Sequence, residues 1–154
     1  MTAVVIDVQS GVIELEESVN FDAHFAASYG VDHGVVEHAD GVVHSFPLMW
    51  AEALDLLFQT MRDAGVDLGA MAAVAGSGQQ HGTVYLNDKA PKALAELDAR
   101  RPLVAQISDI FSRQSSPIWM DTATTRQCHE IQTALGGAEA LLELTGNTAF
   151  ERFS

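Results

Sequence analysis

The hydrophobic pattern at the start of the chain predicts a β-hairpin. Thr2 to Val8 is a β-rich run, and Val12 to Val19 mixes apolar residues with glutamates. The segment Gln9-Ser10-Gly11 between them has the residue types of a tight turn. From Asn20 to Ser45 the pattern is irregular, and we predict no regular element there.

Helical periodicity is clearest from Pro47 to Ala64. Apolar residues recur there three and four positions apart, and their aromatic and methionine stripe is typical of core packing. Pro47 suits a first helical turn, and Gly65 is a typical C-terminal stop. Three further helices are predicted, at Pro91 to Ala99, Ala123 to Leu135 and Ala138 to Leu144.

A short apolar run, Met71 to Ala75, predicts a strand buried on both faces. It breaks into glycines that surround Gln79-Gln80-His81, and a second β-type run, Thr83 to Leu86, follows. Glycines allow close approach to a ligand, while amides and an imidazole supply hydrogen bonds for hydroxyl groups. The segment is therefore either a pocket wall or an ordinary solvated turn. The glycine spacing matches neither a dinucleotide-binding fingerprint nor a P-loop.

The run Pro117 to Met120 predicts a second short buried strand, which ends at Asp121 just before a helix. Ligands of open α/β sheets bind at such junctions, although an aspartate there also caps helices. We favour a binding role, because Trp119 is placed to form a pocket wall. The succession of strands and helices is that of an α/β protein.

The composition and net charge of the chain exclude several classes of protein. The chain of 154 residues is 47% hydrophobic and 19% charged, which is typical of one globular domain. Its net charge of -13 argues against a nucleic acid or an anionic membrane as partner. The single cysteine, Cys128, excludes an internal disulfide and is predicted to be an inert packing residue. No membrane span or leader is evident, so we expect a cytoplasmic protein.

Two clusters of polar residues invite a functional interpretation that we do not favour. Four of the six histidines lie between Asn20 and Ser45 among acidic residues, but their spacing fits no compact metal site. A solvated loop is the better interpretation, and no metal ligand is assigned. The basic residues between Lys89 and Arg101 are spread out and are predicted to be solvated.

Three motifs together resemble the N-terminal domain of the FGGY carbohydrate kinases, most closely the eukaryotic xylulokinase branch. They are the segments G-S-G-Q-Q-H-G-T-V-Y, S-P-I-W-M-D-T-A-T-T-R-Q-C and L-T-G-N-T-A-F-E-R-F, which begin at Gly76, Ser116 and Leu144. The resemblance covers residues 1–154 as a partial sugar-binding domain. It implies a ribonuclease H-like (actin-like ATPase) fold with a mixed sheet flanked by helices, and a second domain that binds ATP and Mg²⁺ across a cleft.

The resemblance also implies a reaction and a set of site residues. The reaction is phosphorylation of D-xylulose to D-xylulose 5-phosphate by ATP. His81 and Arg152 would bind sugar oxygens, Gln80 and Asp121 would lie nearby, and Trp119 would shape the wall. The family's first strand with its phosphate-binding turn, its catalytic base and its nucleotide site have no counterpart in these residues.

From these differences we expect no catalytic residue, no tight ATP or Mg²⁺ binding and no catalysis by this fragment alone. We also expect it to be marginally stable unless another segment or domain supplies a strand in trans. Two alternatives stay open. One is a non-catalytic sugar-binding remnant or interaction module, and the other is a kinase of another FGGY substrate such as ribulose, glycerol or gluconate.

Overall fold

The computed structural model describes residues 1–151, which form a mixed α/β fold of short helices and small sheets. The strands are β1 (Thr2–Ile6), β2 (Ile13–Ser18), β3 (Val36–Glu37), β4 (Val43–Ser45) and β5 (Ser116–Pro117). The helices are α1 (Phe21–Tyr29), α2 (Pro47–Asp63), α3 (Ala90–Ala95), α4 (Leu103–Ile107), α5 (Thr125–Ala134) and α6 (Ala138–Thr145). Single 3₁₀ turns occur at Ala39–Gly41 and Leu68–Ala70.

The predicted hairpin is confirmed. Strands β1 and β2 pair antiparallel, with Thr2 opposite Ser18. Asp7 holds the turn, because its Oδ1 accepts hydrogen bonds of 2.7 Å from both the backbone N–H and the hydroxyl of Ser10. These bonds stabilise the charged carboxylate and lower the pKa of Asp7.

Helix α2 is confirmed over nearly its predicted length, and it organises the core. Pro47 occupies its first turn, and Gly65 follows its end with a φ of 92°. Met49 and Ala53 on α2 are completely buried. The main core cluster comprises Val19, Phe25, Val31, Met49, Ala53, Leu57 and Met61. The apolar stripe therefore packs as the sequence predicts.

Three predictions about strands are wrong, and one of them is the β-type run Thr83 to Leu86, in which only Leu86 forms an isolated bridge, with Phe111. Residues 71–75 form no strand and, from Ala72 onward, are exposed. The run has no neighbouring strand to pair with in residues 1–151, so its apolar side chains lack the cover that a central strand requires. The predicted strand over Pro117–Met120 is also displaced, because only Ser116 and Pro117 pair, with Ser45 and His44.

The segment predicted to be irregular, Asn20 to Ser45, contains helix α1 and strands β3 and β4. The side chain of Asn20 caps α1 by accepting a 2.9 Å hydrogen bond from Ala23 N–H, and Gly30 ends the helix with a φ of 67°. Phe21, Phe25 and Tyr29 lie four positions apart on the face of α1 that packs on the core, while alanines occupy much of the rest of the helix, so its faces differ little in polarity. The spacing of these aromatic residues and the cap residues were the available signals.

The sheets also differ from the single mixed sheet that the resemblance implies. Residues 1–151 form one two-stranded sheet, β1-β2, and one three-stranded sheet, β3-β4-β5, and both are antiparallel. The mixed α/β class is confirmed. Within the same residues, no helix has the length and apolar character needed to cross a bilayer.

The paired residues Ser45 and Ser116 provide a stability test. The hydroxyl of Ser45 donates a 2.8 Å hydrogen bond to Gly34 O, whereas the buried hydroxyl of Ser116 has no partner among residues 1–151. We expect Ser45→Ala to lower the free energy of unfolding by about 1 kcal/mol, because a buried hydrogen bond is lost. Ser116→Ala removes an unsatisfied polar group, so it should be neutral or stabilise by up to about 1 kcal/mol.

Urea unfolding of both variants measures the difference. The two side chains are matched in type, strand position and burial, at 2% and 0% exposed. Equal destabilisation by both substitutions would contradict the prediction.

Candidate functional site

A small cavity brings together the turn that carries His81 and the junction that carries Asp121. Its volume is about 290 Å³, near the lower end of the range for ligand pockets. Polar side chains from several parts of the chain share it with apolar walls. The lining residues are His81, Thr83, Tyr85, Pro117, Ile118, Asp121, Thr124, Gln127, Cys128, Ile131, Ala149, Phe150 and Glu151.

The backbone at His81 adopts a left-handed conformation, with a φ of 59°. Such a φ is uncommon for a residue with a side chain and marks positions that merit a functional hypothesis. Thr83 N–H donates a 3.2 Å hydrogen bond to Pro117 O, which anchors the glycine-rich turn beside β5. The turn therefore stands next to the strand that leads to Asp121.

Asp121 is buried, with 7% of its surface exposed. Its Oδ2 accepts a 2.9 Å hydrogen bond from Val43 N–H in β4, and its Oδ1 accepts one of 3.1 Å from Ala123 N–H. The carboxylate thus joins β4 to the turn before α5 while also lining the cavity. Of its four or so acceptor positions, two are used by the backbone.

The loop that contains Gly41 packs closely against Thr122, the residue after Asp121. Thr122 N–H donates a 2.8 Å hydrogen bond to Gly41 O. A Cβ at Gly41 would overlap the Thr122 hydroxyl, and the φ of Gly41 is 76°. Glycine is required here for both reasons.

Aromatic and cationic groups stand at one side of the cavity. Tyr85 lines it, and the guanidinium carbon of Arg113 lies 5.3 Å from the centroid of the Tyr85 ring. This cation–π contact places a positive charge beside a site that also contains Asp121 and Glu151. The cavity therefore combines hydrogen-bonding groups with an aromatic side chain.

Two further predicted site residues, Gln80 and Trp119, are not brought into the cavity. Trp119 is 48% exposed, and neither Trp119 nor Gln80 lines the cavity. Arg152 lies outside the described residues, immediately after Glu151. Cys128 is buried, as predicted, and also lines the cavity. The roles of these side chains remain predictions.

His44 is a residue that sequence reasoning missed. It was assigned to the solvated histidine-rich segment, yet it lies on β4 with only 14% of its side chain exposed. Its Nε2 lies 3.5 Å from Asp121 Oδ2, and its Nδ1 lies 2.9 Å from Ser115 Oγ. The β-branched pair Val42-Val43 before it was the available signal for a strand.

A second polar cluster lies elsewhere in the histidine-rich segment. Ligand atoms of Asp22, Asp32 and His33 lie within 4.8 Å of one another. The side chains of His33 and Asp32 are 89% and 94% exposed, and Gly34 N–H donates a 2.8 Å hydrogen bond to Asp22. Exposed acidic groups of this kind also occur without an ion, so the cluster alone assigns no metal site.

The basic segment is solvated, as predicted. Lys89 and Arg100 form exposed ion pairs with Asp109 and Asp98, at 2.8 and 2.9 Å. These contacts lower the pKa of both carboxyl groups, mainly through hydrogen bonds to the cations.

Comparison with known proteins finds relatives whose names agree with one another. No family model matches the chain. The chain is 43% identical over 152 residues to the mouse protein named "Xylulose kinase", covering 98% of this chain and 27% of the relative. It is 42% identical over 156 residues to "Xylulose kinase 2" of Arabidopsis thaliana, covering 100% of this chain and 28% of the relative.

A fungal relative agrees with the mouse and plant proteins. The chain is 38% identical over 155 residues to "Xylulose kinase" of Schizosaccharomyces pombe, covering 100% of this chain and 27% of the relative. The chain therefore spans about a quarter of the length of the curated relatives it matches. The resemblance predicted from the motifs is confirmed.

Proposed function

We infer that the chain, which is related to eukaryotic xylulose kinases along its whole length, forms the sugar-binding part of an ATP-dependent xylulokinase. The observation that carries this proposal is the cavity in which His81 and Asp121 meet. The reaction of the whole enzyme is transfer of the γ-phosphoryl group of ATP to a hydroxyl of D-xylulose. These residues contribute to it by holding the sugar.

The side chains in the cavity suit a ketose. A sugar offers several hydroxyl groups, each both donor and acceptor, and His81, Thr124 and Gln127 can serve either role. The carboxylate of Asp121 only accepts hydrogen bonds, and the ring of Tyr85 offers an apolar surface to the carbon skeleton of the sugar. We propose His81 as the principal sugar ligand, with Asp121 beside it. Arg152, Gln80 and Trp119 remain proposed sugar-binding residues on the resemblance alone.

The same cavity does not fit the nucleotide. Phosphoryl transfer depends on cations and backbone amides that neutralise the phosphates, together with Mg²⁺. Among residues 1–151, no lysine or arginine lines the cavity, and two Asp121 hydrogen bonds are already made to the backbone. ATP and Mg²⁺ are therefore proposed to bind another part of the enzyme, in a ribonuclease H-like arrangement of two domains. We propose that residues 1–154 alone do not catalyse the transfer.

D-xylulose is expected to stabilise the chain selectively in a thermal-shift panel that includes D-ribulose, glycerol and gluconate. His81→Ala should weaken D-xylulose binding about 3- to 10-fold, because one hydrogen bond is lost. His33→Ala is the matched control, since His33 also has a positive φ, of 53°, and does not line the cavity.

Three outcomes of the panel would count against the proposal. Equal shifts with all four ligands would remove the preference for xylulose. Equal loss of binding in the two histidine variants would exclude a specific role for His81. No shift with any ligand would count against a sugar site and favour the alternative of an interaction module.

The groove between β1 and residues 71–77 supports a second part of the proposal, that the chain works with a further polypeptide segment. Strand β1 pairs with β2 on one side only, and within residues 1–151 the backbone from Ala72 to Ser77 forms no hydrogen bond. Two cavities of about 470 and 500 Å³ lie between them. We propose that a strand from outside residues 1–154 occupies this groove.

A further inference from the structure

His44 lies directly behind the carboxylate that lines the sugar cavity. Strand β4 carries it, and its ring stands between Ser115, which precedes β5, and Asp121, which follows β5. The Nδ1–Ser115 Oγ distance is 2.9 Å, and the Nε2–Asp121 Oδ2 distance is 3.5 Å. A continuous row of three side chains therefore runs from Ser115 through His44 to Asp121.

His44 contacts a carboxylate oxygen that already accepts a hydrogen bond from the backbone. Asp121 Oδ2 accepts the hydrogen bond from Val43 N–H at 2.9 Å, and Val43 is the residue next to His44. Strand β4 thus contacts the same carboxylate oxygen through a backbone group and a side chain. Neither His44 nor Ser115 lines the cavity, so they act on a ligand only through Asp121.

We propose that His44, held by Ser115, is a positioning residue that sets the orientation and charge environment of Asp121 toward the sugar. The inference rests on the proposed function, in which Asp121 meets a sugar hydroxyl. It adds two residues that the sequence motifs do not contain.

The chemistry of a neutral imidazole explains the arrangement. One ring nitrogen donates and the other accepts. When Nδ1 accepts from the Ser115 hydroxyl, Nε2 carries the proton and points its positive end at Asp121. At 3.5 Å this is an electrostatic contact longer than an ordinary hydrogen bond, which leaves room in the carboxylate's acceptor positions for a sugar hydroxyl.

The surroundings favour the neutral ring. Burial lowers the pKa of His44, the charge of Asp121 opposes this, and the positive charge of Arg113 and the neighbouring His38 add to the lowering. The strand partners opposite His44 are Val36 and Pro117, which carry no charge. Protonation at acid pH would convert the contact into an ion pair that competes with the sugar for Asp121.

Two measurements on the 154-residue chain test the inference. The first is an NMR titration of the His44 ring in the wild type and in Asp121→Asn. Loss of the carboxylate should lower the pKa of His44 further, because the group that raises it is gone. An unchanged His44 titration overturns the inference, even where the wild type binds D-xylulose.

The second measurement is D-xylulose affinity as a function of pH for His44→Phe, His44→Gln and Ser115→Ala. We expect about 5-fold weaker binding for His44→Phe, partial rescue by His44→Gln, which retains an N–H donor, and about 2-fold weakening for Ser115→Ala. The fall in wild-type affinity on protonation of His44 should be absent in His44→Phe.

The outcomes separate the inference from the proposed function. Wild-type affinity and an unaltered pH profile in a folded His44→Phe variant overturn the positioning role while the ketose site stands. Absence of D-xylulose binding to the wild type counts against the proposed function and, with it, against positioning for a sugar. Weakened binding with a lost pH component in His44→Phe supports both.

Discussion

Asp121→Ala is expected to lower the free energy of unfolding by about 2–5 kcal/mol, because two backbone N–H groups, of Val43 and Ala123, lose their acceptor together. For a domain of this size the melting temperature should fall by roughly 4–20 °C. Equilibrium unfolding in urea measures the change. The effect should be large because the carboxylate joins β4 to the turn before α5, at sites 78 positions apart in the sequence.

Two control variants test whether the loss of stability comes from the lost backbone hydrogen bonds. Asp121→Asn keeps an oxygen acceptor and removes the charge, so it should lose less stability than Asp121→Ala. Asp109→Ala is a matched replacement of an exposed aspartate that pairs with Lys89, and it should leave the urea midpoint almost unchanged. Similar losses for Asp121→Ala and Asp109→Ala would exclude the structural role of the buried carboxylate.

A structural role for Asp121 does not compete with a binding role. Sequence reasoning weighed capping against ligand binding at this junction, and the structure shows the carboxylate hydrogen-bonded to Ala123 N–H while it lines the cavity. An anchored carboxylate loses little freedom when a ligand arrives, so it is a preorganised acceptor. Affinity and stability must therefore be measured separately for every Asp121 variant.

Elements could be predicted from the sequence where their apolar spacing and their end residues all lie within the element or next to it. Helix α2 has an apolar stripe, a proline in its first turn and a glycine after its end, so nothing distant is needed to define it. The β1-β2 hairpin is similar, since Asp7 and Ser10 fix its turn within four residues. The junction at Asp121 was located because strand ends and helix starts both leave signals.

Elements whose state depends on distant neighbours could not be predicted. Residues 71–75 have the composition of a buried strand, but burial requires partners that residues 1–151 do not provide. The error at His44 is the reverse. The sequence predicts a solvated residue, but His44 is largely buried by contacts with Ser115 and Asp121, more than 70 positions away. Composition indicates whether a residue favours burial, whereas the topology of the fold determines which residues it contacts.

An extended apolar peptide is expected to bind the groove between β1 and residues 71–77 and to stabilise the chain. The groove has unpaired backbone on both sides and is lined by apolar side chains that include Val4, Leu57 and Met61. An added strand would satisfy backbone groups on both sides and cover exposed apolar residues such as Val74, which is 78% exposed. At 100 times its Kd the peptide would add about 2.7 kcal/mol and raise the melting temperature by roughly 5–11 °C.

The probe is a soluble eight-residue peptide of alternating threonine and valine, and its control has the same length with a central proline that cannot complete the ladder. Hydrogen exchange at the amides of residues 72–77 reports occupancy, and these amides should become protected only with the first peptide. Ala73→Pro on the chain should abolish the protection. Unchanged exchange, equal protection by the proline peptide, or protection that appears through self-association without peptide would each contradict an added strand. Protection confined to residues 72–77 and β1 would support the proposal that a further strand occupies this groove.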